Sequence, residues 1–145
     1  MQEALHESSR SEGEIPVGAL VVNPQGIVLG RGHNQPIARS DPSAHAEIMA
    51  MREAGRNLHN YRLGGCILVV TLEPCIMCMG AMVHARLDGV VYGAADIRAG
   101  AVESCLNGLD LPFLNHHLWH MGGIAGEECA ARLQAFFRNA RNSNQ

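Results

Sequence analysis

The feature that most constrains the fold is an uninterrupted apolar run, Cys66–Thr71, which follows Gly64 and Gly65. A run this short and this continuous is typical of a strand whose two faces are both buried. A second such run, Gly89–Gly93, lies one helix-length further along the chain. Strands that alternate with helices pack as a sheet between helical layers, so the sequence predicts an α/β protein with helices on both faces of its sheet.

The remaining segments fit the same architecture. Two strands joined by the turn Asn23–Gly26 are predicted to pair as a hairpin. The polar, proline-containing segment Arg31–Ser43 is predicted to be a loop, and loops carried by a scaffold commonly bear functional residues. The predicted strands are Val17–Val22, Ile27–Gly30 and a weaker candidate at Leu118–Met121, and the predicted helices are Glu3–Arg10, His45–Arg56, Cys75–Leu87 and Ile124–Arg141.

Length and composition limit the possible classes of protein. With 145 residues, 47% of them hydrophobic, the chain is predicted to form a single domain, residues 1–145. It has no signal-peptide pattern and no apolar stretch near the ~18 residues that cross a bilayer, so we expect a cytoplasmic protein without membrane contact. The five cysteines, an odd number, favour thiols or metal ligands over disulfides. The net charge of -3 argues against nonspecific coating of nucleic acid but allows a small RNA site.

Cys75 and Cys78 form a C-x-x-C pair, a spacing shared by redox sites, structural zinc sites and catalytic zinc sites. Pro74 suits a helix start, so both thiols are predicted to share one face of the first turn, where the helix dipole favours thiolate. His45 and Glu47 also stand at a predicted helix start, so the two starts can meet at one edge of the sheet. The three residues His45, Cys75 and Cys78 are therefore predicted to bind one zinc ion per chain and leave its fourth position for water.

Glu47 supplies the carboxylate that this ligand set needs. Two thiolates neutralise the charge of zinc, so the metal acidifies its water less than it would with three neutral histidines. Glu47 is predicted to accept that proton and to return it to the substrate ring and the departing amine, without binding the metal. Two alternatives stay open: a structural zinc site with a fourth ligand, and a redox pair, which would leave His45-Ala46-Glu47 unexplained.

These motifs resemble those of the bacterial tRNA-specific adenosine deaminases, within the cytidine deaminase-like zinc enzymes. The resemblance rests on H-x-E at His45–Glu47 and P-C-x-x-C at Pro74–Cys78, a signature that zinc deaminases share. It implies a three-layer fold with a central mixed five-stranded sheet, helices on both faces, and a homodimer. Weaker matches extend it over nearly the whole chain, at Glu14–Gly18, His33–Pro36, Gly80–Arg86, Asp96, Asn115–His116 and Phe136–Arg138.

The resemblance also implies an activity, the zinc-dependent hydrolytic deamination of adenosine to inosine at the wobble position of a tRNA anticodon, with release of ammonia. The partner would be the anticodon stem-loop, in which the target base is already unstacked. A deaminase of a free base or nucleoside, such as guanine, cytosine or cytidine, stays the alternative, and the acidic net charge favours it. A noncatalytic zinc-binding scaffold is a third reading, which leaves Glu47 without a purpose.

Substrate contacts are implied for several residues outside the metal ligands. An amide offers both a donor and an acceptor to a purine edge, so Asn34 is expected to hold the adenine, although it also suits a turn before Gln35-Pro36. Phe137 is expected near the RNA, although Phe136-Phe137 on a helix is also a pattern typical of a core. The full set of implied substrate contacts is Asn34, Ala46, Pro74, Asp96, His116 and Phe137.

Overall fold

The computed structural model describes residues 1–145 and contains one five-stranded sheet. Its strands are β1 (Gly18–Val22), β2 (Val28–His33), β3 (Ile67–Leu72), β4 (Gly89–Ala94) and β5 (Trp119–Met121). Across the sheet they lie in the order β2-β1-β3-β4-β5. β1 is antiparallel to both β2 and β3, whereas β3, β4 and β5 run parallel. The predicted mixed five-stranded sheet is confirmed.

Five helices accompany this sheet. They are α1 (Gln2–Ser8), α2 (Pro36–Arg39), α3 (Ala46–Leu58), α4 (Ile76–His84) and α5 (Gly126–Ser143). α3 and α4 share the main apolar core with one face of the sheet, and α1 and α5 pack on the other face. None of the helices combines the length and the apolar composition that crossing a bilayer requires. The two helical layers with the sheet between them form the predicted three-layer architecture.

β3 shows why the run in this part of the sequence is apolar without interruption. Leu68 and Val70 pack in the main core beneath α3 and α4, whereas Val69 packs with Ala4 of α1 on the opposite face. Successive side chains of a strand point to opposite faces, so a strand between two helical layers needs apolar residues at every position. β3 therefore lies at the centre of the fold, and its end is fixed by packing on both sides.

The prediction for the segment after Ile27 is partly wrong. β2 continues to His33 instead of ending at Gly30, and a short helix, α2, forms within the segment predicted to be a loop. Gly32 belongs to this strand because α3 packs tightly there: a Cβ atom on Gly32 would lie 2.2 Å from the Ala46 carbonyl oxygen. Pro36 opens α2 at a position where its missing N–H and fixed φ cost nothing.

The topology gathers several chain segments at one edge of the sheet. Gly18 pairs with His33 and Ala19 pairs with Val70, so β1 begins where β2 and β3 end. The connection from β2 leads through α2 to the start of α3, and the connection from β3 leads directly to the start of α4. The amino-terminal ends of α3 and α4 consequently lie at the same edge.

Candidate metal centre and substrate pocket

Both helices that begin at this edge have a predicted metal ligand at their capping position. His45 precedes α3 and Cys75 precedes α4, each with an extended backbone. Neither side chain caps its own helix, so the imidazole and the thiol are available to other partners. Cys78, which is fully buried, lies in the first turn of α4. The structure thus brings the three predicted ligands together.

The distances between these side chains fit a zinc ion. His45 Nδ1 lies 3.6 Å from Cys75 Sγ and 3.6 Å from Cys78 Sγ. Tetrahedral zinc with Zn–N of about 2.05 Å and Zn–S of about 2.3 Å places nitrogen and sulfur ligands about 3.6 Å apart. No fourth His, Cys, Asp or Glu joins this group, whose ligand atoms all lie within 4.8 Å of one another. A set of three ligands is typical of a catalytic zinc site and argues against a closed structural one.

The two thiols form an unequal pair. A hydrogen bond from the Cys78 thiol lowers the pKa of Cys75 to about 4, while burial opposes this shift and the His45 ring supports it. The same hydrogen bond, together with burial, raises the pKa of Cys78. The hydrogen bond between His45 and Cys75 raises the pKa of the His45 imidazole, although burial acts in the other direction. Of the two thiols, Cys75 therefore loses its proton more readily, and thiolate is the form that binds metals.

Glu47 is positioned beside these ligands as a buried carboxyl group. It lies in the first turn of α3, lines the same cavity as His45 and Cys75, and is 4% exposed. Burial raises the pKa of Glu47 above its ordinary value, and its own backbone N–H and the Cys78 thiol act in the opposite direction. A cation held by the neighbouring ligands would favour the carboxylate again. A buried carboxyl group beside the candidate ligands is in the position that a general acid–base group would need.

A cavity of about 380 Å³ opens onto the three ligands and Glu47. Its size is within the range of sites that enclose a small molecule. Its walls come from the segment before β1, from Asn34 and α2, from the end of β3, and from Asp96 and Ala99 beyond β4. One face of the cavity is therefore the candidate metal centre, and the opposite walls are provided by loops.

Asn34 lies in this cavity with its amide held at both ends. Its Oδ1 accepts a hydrogen bond of 2.9 Å from the Ala46 N–H, and its Nδ2 donates one of 3.0 Å to the Ile15 carbonyl. A carboxamide has two donor hydrogens and two acceptor lone pairs, so one of each stays free. The side chain joins the segment before β1 to the start of α3 and still offers a donor and an acceptor to a ligand.

Three other residues predicted to contact substrate lie around the cavity with their polar groups partly occupied. Asp96 lines the cavity, and its Oδ1 accepts hydrogen bonds from the backbone N–H groups of the two residues at 98 and 99. The Ala46 N–H is given to Asn34. The Pro74 carbonyl accepts a hydrogen bond of 2.9 Å from Ala101. Asp96 thus forms part of the cavity wall, whereas Ala46 and Pro74 do not line the cavity.

His116 and Phe137 lie outside the cavity. The Nε2 atom of His116 is 2.7 Å from the carbonyl oxygen of Leu87, which precedes β4 and so marks the opposite end of the parallel strands. Phe137, on α5, is 45% exposed and packs edge-on against Phe136, with ring centroids 5.4 Å apart. The expected contacts of these two residues with RNA stay predictions.

The sequence analysis assigned no role to two buried carboxylates that line the cavity, Glu14 and Glu73. Glu14 Oε1 accepts a hydrogen bond of 2.7 Å from the Ile37 N–H, which ties the segment before β1 to α2. Burial opposes ionisation of Glu73, but hydrogen bonds from Glu103, Ser104 and Asp96 outweigh it and hold the pKa of Glu73 below its ordinary value. The only indication of Glu73 in the sequence is its position, an acidic residue between the apolar strand that ends at Leu72 and the pair Pro74-Cys75.

Comparison with known proteins identifies the family. The family described as the cytidine and deoxycytidylate deaminase zinc-binding region matches residues 1–94. This chain belongs to that deaminase family. The matched residues include all three candidate ligands and Glu47, and they end with β4.

Three known proteins show what this deaminase is similar to in sequence or in fold. It is 43% identical to the tRNA-specific adenosine deaminase of Haemophilus influenzae over 147 aligned residues, which cover 100% of this chain and 85% of the relative. It superposes with a TM-score of 0.88 on a structure from studies of A-to-I editing by tRNA:A34 deaminases, at 39% identity, covering 91% of this chain and 96% of the other. A guanine deaminase from Nitrosomonas europaea has the same fold, with a TM-score of 0.77 at 22% identity over 93% of this chain and 79% of its own. The family resemblance inferred from the sequence motifs is confirmed.

Proposed function

We propose that this deaminase hydrolyses adenosine to inosine at the wobble position of a tRNA anticodon. The observation that carries the proposal is its similarity, 43% and 39% identical over nearly the full chain, to relatives whose names specify tRNA adenosine deamination. The guanine deaminase supports the fold alone. Its identity of 22% is too low for its substrate to be inferred for this chain. The substrate partner is therefore the anticodon stem-loop.

The proposed chemistry joins the candidate metal centre to Glu47. One zinc ion, bound by His45, Cys75 and Cys78, would supply a Lewis acid that activates water for attack on C6 of the purine. Glu47 takes a proton from the attacking water and transfers it to the ring nitrogen N1. The carboxylate then takes the remaining proton from the water-derived hydroxyl on C6 and passes it to the 6-amino group, so that the C6–N bond breaks, ammonia leaves and the oxygen becomes the 6-oxo group of inosine.

Asn34 orients the base in this proposal. Its free amide hydrogen and free lone pair point from a side chain that is fixed by Ile15 and Ala46. A fixed amide can bind a purine edge without first losing rotational freedom. Asp96 forms the wall that faces the flanking nucleotides, and RNA contacts of His116 and Phe137 would have to come from outside the cavity.

The substrate class is tested by incubating the zinc-loaded protein with an anticodon stem-loop that has adenosine at the wobble position. Separate reactions contain free adenosine, guanine, cytosine and cytidine, and products are identified by liquid chromatography and mass spectrometry. We expect inosine only in the stem-loop, and no reaction in a matched stem-loop with guanosine at that position. Conversion of a free base or nucleoside with an unchanged stem-loop would contradict the proposal and favour the alternative.

Replacement of Asn34 by alanine is expected to separate metal binding from turnover. The variant loses both hydrogen bonds of the amide, but it leaves the three metal ligands untouched. Zinc content should stay at one per chain, and kcat/KM for the stem-loop should fall by about 100-fold, the effect expected when a substrate is misplaced by about 1 Å. Metal analysis and steady-state kinetics check this, with Asn57→Ala, which removes an exposed amide bound to the Leu29 carbonyl, as the control. Full activity of Asn34→Ala would refute the role in the pocket.

A homodimer completes the proposal. Ile76 is 64% exposed and Met77 is 36% exposed at the start of α4, whereas Met79, Met82 and Val83 of the same helix are buried. A helix that is apolar on almost every side needs burial on more than the face that the sheet covers. A second copy of the chain would bury Ile76 and Met77. Sedimentation should therefore give twice 15.6 kDa, and a species of 15.6 kDa at micromolar concentration would contradict the dimer.

A further inference from the structure

Glu73 is a carboxylate enclosed by the protein at the point where β3 leads into the metal-binding helix. It is 2% exposed and stands two residues before Cys75. Its backbone N–H donates a hydrogen bond of 2.9 Å to the Ala94 carbonyl, which extends the pairing of β3 with β4 by one more residue. The backbone of Glu73 is thereby fixed, and its carboxylate forms hydrogen bonds with the chain segment that follows β4.

That segment, residues 96–104, is organised around the Glu73 carboxylate. Oε1 accepts a hydrogen bond of 3.1 Å from the Asp96 N–H and another from the Ser104 hydroxyl. Oε2 accepts three from consecutive backbone N–H groups, those of Val102 at 3.2 Å, Glu103 at 2.9 Å and Ser104 at 3.0 Å. A single carboxylate therefore satisfies four backbone donors of one loop, and no cation takes part.

The 96–104 loop lies directly on this carboxylate. A Cβ atom on Gly100 would come within 2.4 Å of the Glu73 carboxyl carbon, so the loop backbone and the carboxylate are in contact. The Ala101 N–H donates to the Pro74 carbonyl at 2.9 Å, which joins the loop to the residue before Cys75. The loop is thus attached to the same short connection that leads to the metal-binding helix.

The same loop also forms part of the cavity wall. Asp96 and Ala99 line its wall, and Asp96 Oδ1 holds the next turn of the loop through the Arg98 and Ala99 N–H groups. A shift of the loop away from Glu73 would move both wall residues relative to His45 and Cys75. Small displacements of this kind are costly to an enzyme because substrate and reacting groups must stay aligned.

We propose that Glu73 is a positioning residue for the deamination, which fixes the 96–104 loop against the metal-binding connection so that the wall formed by Asp96 and Ala99 is in place before the nucleotide enters. The inference rests on the proposed function for its substrate. Glu73 acts on the nucleotide through the loop and does not exchange protons with it. Its loss should therefore raise KM more than it lowers kcat.

The test is Glu73→Gln in the full zinc-loaded protein. The amide keeps one acceptor oxygen but sets an NH2 group against backbone donors, so at least two of the hydrogen bonds are lost. We expect one zinc per chain, a KM for the anticodon stem-loop raised at least tenfold, and a kcat within a factor of three of the parent. Glu7→Gln is the matched control because Glu7 is also buried, at 4% exposure, and binds Arg10 and His33 away from this cavity. Its KM should be unchanged.

Two further measurements keep the inference open to refutation. Asp96→Ala should raise KM in the parent but add little in Glu73→Gln, because both changes act on the same wall. Hydrogen exchange of the Val102, Glu103 and Ser104 amides, which needs no substrate, should accelerate at least tenfold in Glu73→Gln. Unchanged exchange, unchanged KM, or fully additive effects would overturn the proposal.

If Glu73→Gln does not fold, Ser104→Ala replaces it. We expect a two- to fivefold rise in KM for this variant, and an unchanged KM would overturn the proposal. If the parent protein leaves the stem-loop unconverted, the proposed function is contradicted. The hydrogen-exchange result needs no substrate, so it still tests the role of Glu73 in that case.

Discussion

Replacement of Glu47 by glutamine is expected to lower kcat for the anticodon stem-loop by at least about 10³-fold while zinc stays at one per chain. Glutamine has nearly the shape of glutamate but cannot accept a proton from water or deliver one to the purine ring and the amine. A single group that serves as base and then as acid contributes at both steps, so its loss should exceed that of an ordinary proton-transfer residue. Single-turnover kinetics with mass spectrometry of the RNA product measure the loss.

The fold should tolerate this change. Burial raises the pKa of Glu47 in the metal-free protein, so the carboxyl group binds protons more readily in the folded than in the unfolded state. Its contribution to stability is therefore present at low pH and is lost as pH rises through the folded-state pKa. The metal-free Glu47→Gln protein should be at least as stable as the parent at pH 7. Glu53→Gln, a like change later on α3, should keep full activity. An active Glu47→Gln protein would remove Glu47 from the mechanism.

Cys78→Ser is expected to abolish both zinc binding and deamination. Cys78 is fully buried and its sulfur lies 3.6 Å from His45 Nδ1, so a hydroxyl at this position replaces a strong soft ligand of zinc by a poor one. Without metal no attacking water is activated, and activity should fall below detection. The same variant should lose the stabilisation that zinc gives the parent, about 4 kcal/mol when free zinc is 1,000 times its Kd.

Inductively coupled plasma mass spectrometry and thermal unfolding with and without zinc measure both losses. Cys66→Ala is the matched control because Cys66 is also buried, at 2% exposure, but lies at the start of β3, away from the ligands. It should keep one zinc per chain and the zinc-dependent rise in unfolding temperature. Retention of zinc by Cys78→Ser would mean that another side chain completes the site, and the assignment of three ligands would then be wrong.

The grouping of the three candidate ligands could be predicted from the sequence because local patterns mark both helix starts. A proline before a cysteine pair, and a histidine before a run of helix formers, mark two helix starts, and alternation with strands brings both starts to one edge of a sheet. The family motifs then gave the remaining features of the fold. Local patterns marked the two helix starts, and the alternation of strands with helices placed His45 near Cys75 and Cys78.

The parts that sequence reasoning missed depend on distant contacts. The sequence predicts the end of this strand at Gly30 because the segment that follows is polar and contains Gly32, which weakens a strand locally, although Gly32 is a position at which α3 packs on the sheet. Glu14 and Glu73 serve backbone donors that are 23 and up to 31 positions away, and no local pattern announces such partners. Loop walls of a cavity are set by these long-range hydrogen bonds, so they appear only with the structure.

The double anchorage of Asn34 fixes the polarity of its amide. A rotation by 180° would set the NH2 group against the Ala46 N–H and the oxygen against the Ile15 carbonyl, so each present hydrogen bond would become a repulsion. A free amide can turn to suit either the donor and acceptor pattern of adenosine or the reversed pattern of inosine, but this one keeps a single arrangement of donor and acceptor. Adenosine on arrival and inosine on departure would meet the same fixed donor and acceptor of Asn34. This amide can therefore bind one of the two nucleosides more tightly than the other, which would affect how readily product is replaced by substrate.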